Sequence, residues 1–168
     1  MIIRYLDIFS RKLSLFLYKI SIYFSLPLLF FLVCLEVVMR YIFNNPLEWS
    51  NDINGLLLLI TLFSALPHGW DRGYHIRMEM FYEKMSDKNK SISNLFSSIS
   101  GVIFFLMLSI QSYFFSNYMF LTSETGEDIN LYLWPFMLFI GICSLIFALR
   151  IIANPTGIIL ENNQEPWI

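Results

Sequence analysis

Two titratable side chains stand within otherwise apolar sequence at a spacing that permits chemistry: Glu36 and Arg40, one helical turn apart in Leu35-Glu36-Val37-Val38-Met39-Arg40. An ionisable residue in lipid is costly and marks function by default. Two roles fit this one. A membrane carboxylate can load and release a proton to drive coupled transport, as in small proton-coupled exporters. Alternatively, a Glu placed before an Arg at i,i+4, the favoured orientation, forms an ion pair that neutralises itself near the outer membrane boundary. The neighbouring cation stabilises the anion, which is the wrong direction for a proton carrier.

The two histidines, His68 and His75, lie on one short segment. They cannot flank a haem as two histidines on facing helices would, which argues against the cofactor-bearing anchor of an oxidoreductase. Cys34 and Cys143 sit in separate apolar runs with no metal-ligand spacing and read as small apolar fillers. No Ser-His-Asp set, phosphate loop or metal motif can be assembled, so neither enzyme chemistry nor a cofactor, metal or substrate site is expected. The chain holds nothing that suggests nucleic-acid binding, because topology already accounts for its basic residues.

The elements that carry these groups are set by hydropathy. Of 168 residues, 57% are hydrophobic and only 14% charged, far from the roughly 25% charged residues of soluble chains. Four apolar stretches, at about 20–43, 47–70, 92–121 and 131–152, each match or exceed the roughly 20 residues a helix needs to cross a bilayer. With no water to satisfy the backbone and no strict alternation, these must be helices. The expected fold is all-α, a single four-helix membrane domain with a loop over about 71–91 and a tail over 153–168. Before the first crossing, Ile2, Tyr5, Leu6, Phe9, Leu13, Phe16 and Leu17 recur at steps of three and four. Residues 2–19 therefore read as an interfacial amphipathic helix whose Arg and Lys meet anionic head groups, or as a helix end docked on the bundle.

Charge sets the orientation. Arg4, Arg11, Lys12, Lys19, Arg72, Arg77, Lys84, Lys88, Lys90 and Arg150 fall on one side of the crossings, and Arg40 alone on the other. That other side carries Glu48, Asp52, Glu124, Glu127 and Asp128. Positive residues stay in the cytoplasm, so both termini are expected there. No secretory signal peptide is apparent, because the first apolar run is too long and no small-residue cleavage pattern follows.

The first external turn reads as a cap. Asn45-Pro46-Leu47-Glu48 supplies an N-cap, a proline at the first helical position and an acid at the third, which predicts a second crossing that begins there with Trp49 at the interface. On the third crossing, Ser93, Ser97 and Gly101 fall four apart, a row that can admit a close helix neighbour or can arise by chance. Between Lys90 and Glu124, Asp128 and Arg150, and Asp52 and His68, no Asp, Glu, Lys, Arg or His occurs. A self-sufficient carrier of ions normally needs such groups near the midplane.

The stretch Glu36-Val37-Val38-Met39-Arg40-Tyr41-Ile42-Phe43-Asn44-Asn45-Pro46-Leu47-Glu48-Trp49-Ser50-Asn51-Asp52 resembles the R-Y-x-F-N-x-P-L-x-W-[ST]-x-[ED] segment of the small membrane subunit of tripartite ATP-independent periplasmic (TRAP) transporters. Asp71-Arg72-Gly73-Tyr74-His75-Ile76-Arg77-Met78 is similar to the family's R-x-G-x-H-I segment. Where members often carry two acids after the Trp, this chain has Asn51 and Asp52; Ser64 stands near a usual glycine, and Pro67 is unusual. The resemblance implies a bacterial inner-membrane complex in which a large permease subunit carries an organic acid, such as a dicarboxylate or a sialic acid, by a sodium-driven elevator motion. It further implies an extracytoplasmic substrate-binding protein as a partner and a non-transporting, scaffolding role for the small subunit. Glu36, Arg40, Trp49, Asp52, Arg72 and His75 would then anchor helix ends to lipid or within the chain, or contact the large subunit, with Ser93, Ser97 and Gly101 serving helix packing.

Overall fold

The structure, a computed structural model, describes the backbone of residues 2–71 and 87–154 and the side chains of 7–71, 89, 90 and 92–154. Its elements are α1 (Ile2–Ile20), a π-helical turn (Ser21–Ser25), α2 (Leu26–Tyr41), α3 (Ser50–Asp71), α4 (Asp87–Thr122) and α5 (Trp134–Ala153). Four helical stretches are long and apolar enough to cross a membrane: 7–41, 50–71, 92–122 and 134–153. No strand forms among the described residues, where an isolated bridge joins Thr125 to Tyr132.

The helix expected over 2–19 forms, and it runs without a gap into the first crossing. The join is a π turn with a local cause. Pro27 has no N–H to give the carbonyl four residues earlier, so the ladder shifts register and the Leu26 amide donates to Ser21 O, five residues back. That shift helps place Ser21 and Ser25 against α3. Ser21 Oγ donates to Thr61 O at 3.1 Å, and Ser25 Oγ to Leu57 O at 2.9 Å. Along α1, Ser10, Ser14 and Leu17 are also buried, while Phe9 and Phe16 are exposed. The serine edge of the helix thus docks on α3 and α5, and part of the apolar edge faces outward.

Ser25 is fully buried, and its hydroxyl also lies 2.8 Å from Thr61 Oγ1. Ser25→Ala is expected to cost only about 0.6–1 kcal/mol, the usual size of an interhelical hydrogen bond in a membrane protein. Ser25→Leu, which forces the π turn and α3 apart, is expected to cost about 1–3 kcal/mol. Thermal unfolding of the purified variants in detergent would rank them, and equal melting temperatures would contradict the close approach.

At the far end of the first crossing the chain departs from the capping expectation. Asn44 adopts a left-handed conformation, φ 49°, and the Asn45 amide donates to Met39 O at 3.0 Å. Asn tolerates this backbone at low cost, so residues 44–45 close α2 and cannot cap a new helix. Pro46 keeps Asn45 out of the α region. The second crossing therefore starts at Ser50, three residues beyond Leu47, with Asn54 Nδ2 donating to Ser50 Oγ at 3.0 Å.

α5 is the central helix. It packs against α1, α3 and α4, and half of its most apolar window is buried. Leu17, Cys143 and Ile146 form a buried cluster lined by Leu13, Phe63 and Phe139, so Cys143 does pack as an apolar filler, whereas Cys34 is exposed. Small residues set the contact of α4 with α5. A Cβ on Gly141 would lie 3.3 Å from Ser112 Cβ, while Ser109 Oγ donates to Gly141 O at 2.9 Å and Ser116 Oγ to Trp134 O at 2.8 Å. Of the expected row, Gly101 alone takes part, its Cβ position lying 3.3 Å from Ile151 Cδ1; Ser93 and Ser97 are exposed. At 3.6 residues per turn each step of four advances about 40° around the helix. The row therefore sweeps past α5 and reaches it only at Gly101.

Candidate functional site

The described polar chemistry gathers at the two ends of the bundle. At one end the last turns of α3 and α5 meet the second turn of α1 around Arg150, which is 1% exposed. Its Nε donates to Asp71 Oδ1, and its Nη1 to the Asp7 carboxylate, to Asp7 O at 3.3 Å and to Ser10 Oγ at 3.4 Å. Ser10 Oγ in turn donates to Asp7 O at 3.2 Å. Asp71 is buried with Arg150, and Asp7 is partly open to solvent. A guanidinium presents several donors in a fixed plane, so one Arg can hold carboxylates from two helices at once. The contact ties three helices through one side chain. Beside it, the Trp70 indole donates to Asn154 O at 2.9 Å, and the buried His68 ring lies 4.0 Å from that of Tyr18.

At the opposite end, the connection from α4 to α5 folds into a small hairpin. Gly126 N donates to Leu131 O at 3.1 Å and Leu133 N to Glu124 O at 3.2 Å, and Ser123 is left-handed at φ 55°. Asp52, in the first turn of α3, reaches across to it. Its Oδ2 accepts from the amides of Asp128 at 2.9 Å and Ile129 at 3.2 Å. Three acidic residues surround this position in sequence, yet Asp52 meets backbone donors there, which lets one more carboxylate stand among them. A Cβ on Gly126 would lie 2.5 Å from that oxygen, so any side chain there would push the Asp52 carboxylate aside.

The remaining sequence candidates fall as follows. Glu36 and Arg40 form an ion pair along α2, with the Arg side chain about half exposed. Trp49 is 37% exposed, immediately before α3. Arg72 and His75 lie outside the described residues. Asp52 is thus bonded within the chain to the other connection, while the Glu36–Arg40 pair stands apart on its own helix.

Sequence reasoning passed over the Asp7–Arg150–Asp71 contact, having read Arg150 only as one more positive charge on its side. A signal was present: Arg150 is embedded in Ala148-Leu149-Arg150-Ile151-Ile152, where a buried cation needs an anion. Which anions answer it depends on residues 79 and 143 positions away.

Neither the curated proteins nor the solved structures yielded a match. A family model, described as "Tripartite ATP-independent periplasmic transporters, DctQ component", matches residues 29–158, a span that includes Asp52, the hairpin, Asp71 and Arg150. With most of its length matched and four helices able to cross a membrane, the chain belongs to the DctQ family of TRAP-transporter membrane components.

Proposed function

We propose that this chain is the non-transporting scaffold subunit of a sodium-coupled TRAP transporter for organic acids of the sialic acid or dicarboxylate type. On this reading it sits in the bacterial inner membrane with both termini in the cytoplasm, packed against the large elevator-type permease subunit. The extracytoplasmic binding protein meets the complex, and the permease supplies the substrate and ion sites.

One observation carries the scaffolding role: the acids whose side chains are described within the helices, Asp7, Glu36, Asp52 and Asp71, are all bonded to partners in this chain. Arg150 and Asp71 pair with each other, Glu36 pairs with Arg40, and Asp52 bonds to the hairpin amides. A carrier needs groups free to bind and release cargo. A fixed support needs stiff helix contacts instead. The residues that remain half-exposed, Arg40 and Trp49, suit anchoring at the interface or against the permease, the role also proposed for Arg72 and His75.

In liposomes, the chain alone is expected to move no organic acid, and uptake is expected only with the permease and binding protein added and a sodium gradient imposed. Tagged chain from native membranes is expected to co-purify with a permease of more helices than its own. Robust uptake by the isolated chain would overturn the proposal.

A further inference from the structure

Among the exposed residues of α4, one does not suit lipid. Gln111 lies 11 residues before the helix end at Thr122, about 16 Å along the axis at 1.5 Å per residue, close to the middle of a ~30 Å hydrocarbon layer. Its side chain is exposed, and no hydrogen bond within the described residues satisfies its carboxamide. An unbonded amide in hydrocarbon costs several kcal/mol. Asn117 is also exposed, but only five residues, about 7.5 Å, from the same helix end, where head groups and water come within reach.

We propose that the face of α4 carrying Gln111 is the docking surface for a transmembrane helix of the permease subunit, which offers a hydrogen-bonding group to that carboxamide at the same depth. This rests on the scaffold reading above. Three observations single out the face and its occupant. Phe104, Met107 and Phe114 share the face at steps of three and four and are each more than half exposed. The neighbouring face presents Ile99, Ile103, Leu106 and Ile110 to lipid chains and turns polar only at Asn117, near the helix end. The two faces therefore differ in what can cover them. Finally, α4 has 36 residues, about 54 Å, more than the roughly 40–45 Å of a whole bilayer. The Gln111 face continues through Ser100 and Ser97 toward the overlong end. A protein partner can cover that length, and the chain belongs to a family of components of a multi-part transporter.

The test uses the complex in native membranes. A photo-reactive phenylalanine analogue is placed at Phe104 or Met107, which leaves Gln111 in place, and, for comparison, at Ile103 or Ile110. Cross-linking to the permease is expected from 104 and 107 and only weakly from 103 and 110. Gln111→Leu, which makes the helix more apolar and leaves the contact with α5 intact, is expected to reduce permease recovery about 3- to 20-fold, the range of interhelical hydrogen bonds in membranes. Ile110→Leu is expected to leave recovery unchanged. Cross-links chiefly from 103 and 110, or from 104 and 107 to a second copy of this chain, would overturn the docking face. If the unsubstituted chain recovered no permease at all, the scaffold reading itself would fall.

Discussion

Arg150→Met is expected to lower the melting temperature of the purified chain by roughly 10 °C. The substitution removes the cation and leaves Asp71, whose side chain is 2% exposed, without its ionic partner. Stranding one member of a buried pair costs about 3–5 kcal/mol, and for a chain of this size each kcal/mol shifts the midpoint by about 2–4 °C. The partner variants discriminate between burial and simple loss of charge. Asp7→Ala is expected to cost no more than about 1 kcal/mol, since Asp7 is partly solvated and Arg150 keeps Asp71. Arg150→Met combined with Asp71→Leu is expected to recover most of the loss, because apolar replacements of a buried ion pair are often neutral or stabilising. Thermal unfolding of the four proteins in one detergent decides the matter. A midpoint for Arg150→Met equal to that of the parent would show that the contact does not hold the three helices together.

The ordering of those variants bears on what the sequence could disclose. The crossings were legible because lipid leaves the backbone only one solution, and apolar runs of sufficient length mark it. The helix ends were less so. A local rule placed the start of the second crossing at Leu47, and it failed because Asn45 was already committed to closing the preceding helix through Met39 O. Pro27 likewise stood in plain view inside an apolar run, but its consequence, a π turn that faces two serines toward α3, depends on that neighbour. The site was legible in part. Glu36 and Arg40 are a local pair, set by helical geometry, and are visible in the sequence. Asp52 stands out in its motif, but its partners are amides 76 and 77 residues away. Arg150 with its two aspartates required knowing which helix ends converge, and charge counting alone assigns a cation to a side of the membrane without naming its partner.

Asp52→Ala is expected to release the hairpin between α4 and α5. Two hydrogen bonds from backbone amides to a carboxylate are lost, each worth about 1.5–3 kcal/mol where well buried. Because the Asp128 amide is exposed, a combined loss near 2 kcal/mol is the reasonable figure. Hydrogen exchange over residues 124–133 should accelerate about 30-fold, with Asp128 and Ile129 most affected, since 1.4 kcal/mol corresponds to a factor of ten. Asp52→Asn keeps an acceptor oxygen and should lie between the two. Gly126→Ala attacks the same contact from the other side, because its methyl would press on Asp52 Oδ2 and on Ile129 O, 3.0 Å away. The two substitutions should therefore be less than additive, as expected for residues that share one interaction. Unchanged exchange in Asp52→Ala would mean that the hairpin holds its own shape. The carboxylate at the start of α3 would then be available to a partner, and the end of the bundle opposite Arg150 would lose its claim to be a fixed support.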